Sequence, residues 1–94
     1  MKTATTKRHR LLITDDNATV RNLLDYHSRQ RGFDPLLASS GKEAKELISD
    51  DIDVVILDLR MPEGDGMEFL QFLAEKFPDI PAVILSSKEE VEAA

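Results

Sequence analysis

The chain has 94 residues, 41% hydrophobic and 32% charged, with a net charge of −6 and no cysteine. That length suits one domain, which buries only about 60% of the surface its unfolded chain exposes. The composition excludes a disulfide scaffold and a thiolate metal site, and no apolar run is long enough for a membrane-spanning helix. The negative charge argues against direct nucleic-acid binding, which draws on excess Lys and Arg.

Residues 1–9 read as a flexible tail and residues 10–94 as the folded unit. The basic group Lys7-Arg8-His9-Arg10 reads as solvated, and the apolar stretch after it is too short for a secretory signal, so a cytoplasmic protein is expected. Leu11-Leu12-Ile13, between Arg10 and Asp15, predicts a buried strand. From Ala18 the residues Val20, Leu23, Leu24 and His27 recur at helical spacing, and Gly32 supplies a residue able to take a left-handed C-terminal cap. Residues 33–38 form a short apolar segment whose Pro35 lacks an N–H, which suits an edge strand. Ser40-Gly41-Lys42-Glu43 fits a capping box opening a second helix, with Ala44, Leu47 and Ile48 on its buried face.

Residues 53–58 hold Val54-Val55-Ile56-Leu57, the pattern of a strand covered on both faces. The loop 60–66 carries Pro62, Gly64 and Gly66, and a third helix follows with Leu70, Leu73 and Phe77 on one face, ended by Pro78. Met67, Phe69 and Phe72 read as packing residues, and Met61-Pro62 as shaping the loop. Residues 80–87 repeat the buried-strand pattern, and residues 88–94 begin a helix-prone segment. Strands alternating with helices imply right-handed crossovers, a parallel sheet and helices on both faces.

In an open parallel sheet, ligands bind outside the carboxyl ends of the strands. Here the first strand ends in Asp15-Asp16, the third in Asp58 and the fourth in Ser86-Ser87. Each group alone has a structural explanation as a cap or turn. Together they put three carboxylates at one rim, where they repel one another unless a cation is present. With oxygen ligands only, the cation expected is Mg²⁺. A carboxylate beside such an ion can attack phosphorus and form an aspartyl phosphate.

The ordered set Leu11-Leu12-Ile13-Thr14-Asp15-Asp16, then Asp53-Val54-Val55-Ile56-Leu57-Asp58-Leu59-Arg60-Met61-Pro62 with Asp65-Gly66, then Ile80-Pro81-Ala82-Val83-Ile84-Leu85-Ser86-Ser87, resembles the receiver domains of two-component response regulators. The resemblance implies a flavodoxin-like, doubly wound α/β fold with strand order 2-1-3-4. It implies Asp58 as phosphoacceptor, Asp16 as a direct Mg²⁺ ligand, Asp15 holding metal-bound water, and Arg60 giving its backbone carbonyl. Ser86 takes the place of the switch hydroxyl, and Ser87 that of a small residue letting phosphate approach. The implied partner is a sensor histidine kinase or phosphotransfer protein, and the implied role is a self-phosphorylating switch rather than an enzyme acting on other substrates.

Receiver domains continue through a fifth strand ending in a Lys and a closing helix, whereas this sequence stops seven residues after Ser87. Lys88 directly follows the fourth strand and is not that Lys. A partial receiver is therefore expected, with the fourth strand as an apolar edge through which copies self-associate. Two alternatives stand beside this reading. One is an interaction fragment without phosphorylation. The other is a haloacid-dehalogenase-like phosphatase, which would need an Asp where Arg60 stands.

Overall fold

A computed structural model describes residues 8–85. In chain order these form β1 (Arg10–Thr14), α1 (Ala18–Gln30), β2 (Asp34–Ala38), α2 (Gly41–Leu47), β3 (Val54–Asp58), a 3-10 turn (Pro62–Gly64), α3 (Asp65–Lys76) and β4 (Ala82–Leu85). The strands make one parallel sheet in the order β2-β1-β3-β4, as the resemblance implies. Ser86, Ser87, Lys88 and most of the N-terminal tail lie outside the described residues.

Alternation along β1 and β3 sends side chains to two faces. Leu12, Val55 and Leu57 point toward α2 and α3 and pack in one buried cluster with Ala38, Ala44, Ile48, Ile52, Met61, Phe69 and Leu73. Phe69 is fully buried at its centre and contributes ~3 kcal/mol by leaving water. On the opposite face Leu11, Val54 and Ile56 meet Leu24 and Ser28 of α1 along a groove.

Local signals fix the helix ends. Asn17 caps α1, its side chain accepting from the N–H groups of Thr19 and Val20. At the other end Gly32 takes φ +89°, while its N–H and that of Phe33 donate to the carbonyls of Arg29 and Ser28. This pair of reversed bonds satisfies carbonyls that a helix end otherwise leaves unpaired. At α2 the Ser40 hydroxyl accepts from Glu43 N–H at 3.0 Å. Glu43 does not close the expected box on Ser40; its carboxylate takes the N–H and the hydroxyl of Ser39 instead.

Two packing expectations are corrected. The inward line of α1 runs through half-buried Val20 and Leu24 and buried Ser28, while Leu23 is exposed and His27, also exposed, edges the groove beside Leu24. Ser28 can be buried because its hydroxyl donates to the Asp25 carbonyl at 2.9 Å. Met67 is exposed, whereas Met61, expected only to shape a loop, is a core residue.

Candidate phosphoacceptor and cation site

β1 and β3 are hydrogen-bonded neighbours with Thr14 opposite Leu57. Because both strands run the same way, the residues just beyond their carboxyl ends meet at one edge of the sheet. Asp15, Asp16 and Asp58 each offer a carboxylate oxygen, and these oxygens lie within 4.8 Å of one another. They line an open cleft of about 490 Å³ together with Asn17, Val20, Arg60 and Leu85.

The three acids differ in setting. Asp15 is buried, Asp58 half-buried and Asp16 exposed. Asp15 is anchored through its N–H, which donates to the Ala38 carbonyl of β2 at 3.1 Å, and through its carboxylate, which accepts from Asn17 N–H at 2.9 Å. Burial pushes its carboxyl above the usual aspartate value, the nearby Asp58 and Asp16 carboxylates add to this, and the Asn17 bond works against it. Asp58 Oδ1 accepts the Arg60 N–H at 2.8 Å, which folds the chain over the end of β3.

Close backbone passage behind Asp58 depends on Gly66, where a Cβ would stand 2.6 Å from the Asp58 carbonyl oxygen. The loop between them carries two left-handed residues, Glu63 at φ 62° and Gly64 at φ 72°. Sequence reasoning identified all three acids and Arg60, and the fold brings them to one cleft. It missed Arg21, whose Nη1 donates to the Asp15 carbonyl at 2.8 Å. A bond from a side chain on a helix to a main-chain oxygen leaves no spacing signature in sequence.

An oxygen-only set of three carboxylates, one of them buried and raised in pKa, fits a small hard dication such as Mg²⁺. Asp16, Asp58 and the Arg60 backbone carbonyl would hold it directly, and Asp15 would hold it through a bound water.

A family profile for the response regulator receiver domain matches residues 11–94. Response regulator SaeR of Staphylococcus aureus is 34% identical over 80 residues, covering 85% of this chain and 35% of its own length. The chain thus spans about a third of the curated relatives it matches. Among solved structures, a response regulator receiver domain protein of Clostridium thermocellum superposes with a TM-score of 0.83 at 28% identity, covering 92% of this chain and 71% of that one. The non-phosphorylated HemR receiver domain of Leptospira biflexa gives 0.79 at 25% identity, over 92% and 73%.

Proposed function

Because the chain belongs to the response-regulator receiver family, we propose that it accepts a phosphoryl group on Asp58 and in that state changes its affinity for a partner. The observation that carries this reading is the meeting of Asp58 with Asp15 and Asp16, their carboxylate oxygens within 4.8 Å at the end of β3.

The donor is a phosphohistidine of a sensor kinase or phosphotransfer protein. A carboxylate oxygen of Asp58 forms a bond to phosphorus as the P–N bond breaks, and the leaving imidazole takes up a proton. Bound Mg²⁺ supplies positive charge that offsets the oxygens of the transferring group. The Arg60 N–H fixes the rotamer of Asp58 through Oδ1, which orients the carboxylate before the phosphodonor arrives. Ser86, as switch hydroxyl, and Ser87, as the small residue beside it, follow Leu85, which lines the cleft.

Incubation with acetyl phosphate and Mg²⁺, followed by intact mass, tests the reading. A single phosphoryl adduct is expected, lost in Asp58→Asn and lost on chelation. No adduct at any donor concentration would instead support an interaction fragment. The phosphatase alternative gains nothing from the geometry, since Arg60 contributes a backbone N–H where that chemistry needs a carboxylic acid.

A second copy of the chain is the further partner proposed. Among the described residues β4 pairs only with β3, and Val83 and Ile84 are 50% and 37% exposed. An apolar edge strand is a template for pairing with another chain. Sedimentation over a wide concentration range should show a rising mass, and a constant monomer overturns the self-pairing.

A further inference from the structure

Asp15 is held at three points. Its N–H goes to the Ala38 carbonyl and its carboxylate to Asn17 N–H, and both of those bonds are short-range or sheet-derived. The third, at its carbonyl, comes from a side chain on another element: Arg21 Nη1 of α1 at 2.8 Å. The Asp15 carbonyl and the Asp16 N–H belong to one planar peptide. Whatever fixes that carbonyl therefore fixes the plane from which the Asp16 side chain departs. Arg21 is itself partly buried, so its guanidinium is restrained rather than free in solvent. Its charge also adds, as a minor contribution, to the Ser39 bonds that hold the Glu43 carboxyl below the usual glutamate range.

We propose that Arg21 is the positioning residue of the acidic cleft: its guanidinium clamps the Asp15–Asp16 peptide and so sets the geometry in which Asp16 and Asp58 receive a divalent cation. This rests on the receiver reading of the cleft and adds a residue that touches neither cation nor phosphoryl group. The claim has a sign that a charge effect cannot imitate. Deleting a cation beside three carboxylates strengthens their attraction for Mg²⁺, whereas loosening the turn weakens it.

The test compares the full chain with Arg21→Met and Arg21→Lys. Mg²⁺ affinity is read by NMR titration, and amide hydrogen exchange at Asp16 and Asn17 is measured without metal. Positioning predicts that Arg21→Met binds Mg²⁺ about tenfold more weakly, the low end for loss of an outer-shell partner. It predicts faster exchange at Asn17 in the metal-free protein and partial recovery of both readouts in Arg21→Lys. The acetyl phosphate adduct of Arg21→Met should return at saturating Mg²⁺. Unchanged or tighter Mg²⁺ binding in Arg21→Met overturns the proposal, and should that variant not fold, unchanged or tighter binding in Arg21→Ala, which also lacks the donor, does so. If the wild-type chain takes up no Mg²⁺, the metal reading fails by itself. The clamp is then decided by Asn17 exchange, and equal rates in variant and wild type overturn it.

Discussion

The carboxylate of Asp65, the first residue of α3, accepts the backbone N–H of Gly41, the first residue of α2. This bond joins two helices that pack on the same face of the sheet, and it requires the two backbones to pass closely. A Cβ on Gly41 would lie 2.5 Å from the Asp65 carbonyl oxygen and 2.7 Å from its carboxylate. Replacing Gly by Ala inside a helix gains about 1 kcal/mol in propensity. Forced overlap with main chain costs about 1–3 kcal/mol, and this position opens the helix, where the propensity gain is smallest. Gly41→Ala should therefore destabilise by ~2 kcal/mol in urea unfolding, with the slope unchanged.

The loop after Asp58 stores strain at Glu63, an exposed residue. Glu63 holds φ 62°, a left-handed conformation that costs a residue with a Cβ about 1 kcal/mol. Glu63→Gly should raise stability by ~1 kcal/mol if the loop keeps its shape. Gly64→Ala, at φ 72°, should lower it by a similar amount. Paired thermal melts of the two variants check the opposite signs.

Thr14 ends β1 fully buried, and among the described residues its hydroxyl has no hydrogen-bond partner. An unsatisfied buried hydroxyl costs about 1–3 kcal/mol, and valine has nearly its shape. Thr14→Val is expected to stabilise by ~1 kcal/mol in chemical denaturation. A loss of stability would show that the hydroxyl is satisfied in solution, by ordered water for example.

Asp15 gives the protein a pH response of definite sign. Its pKa in the folded chain is raised above the reference 3.8, so the folded state binds its proton more tightly than the unfolded state. Between those two values the stability contributed by Asp15 falls as pH rises, and the loss is complete once the folded-state carboxyl has ionised. Asp15→Asn should remove this slope and raise the melting temperature of the metal-free protein at neutral pH. Mg²⁺ at ten times its dissociation constant should stabilise the wild type by about 1.4 kcal/mol. Asp15→Asn and Asp58→Asn should show a smaller shift.

Much of this architecture was legible because strands buried on both faces write themselves as unbroken apolar runs. Val54-Val55-Ile56-Leu57 located β3, and with it Asp58. The acids were legible because strand ends in a parallel sheet converge. The burial of α1 was not, since periodicity counts Ser28 as polar while a local bond to the Asp25 carbonyl lets it enter the interior. Met61 was hidden for a related reason: it sits in a Pro- and Gly-containing loop, where side-chain burial follows from tertiary contact with Phe69 and its neighbours rather than from any repeat. Ser86 and Ser87 lie outside the described residues, so their assignment remains one of sequence position.

The placement of β1 between β2 and β3 has an energetic consequence. Each strand–helix unit can condense from local contacts without bringing Asp15 near Asp58. Their mutual repulsion arises only when β1 docks on β3, a non-local contact across the connection that carries α1, β2 and α2. Closing that long connection carries a loop-closure entropy cost that local contacts do not. The electrostatic burden of the acidic cleft thus falls on a long-range contact between two strands and not on any single strand–helix unit.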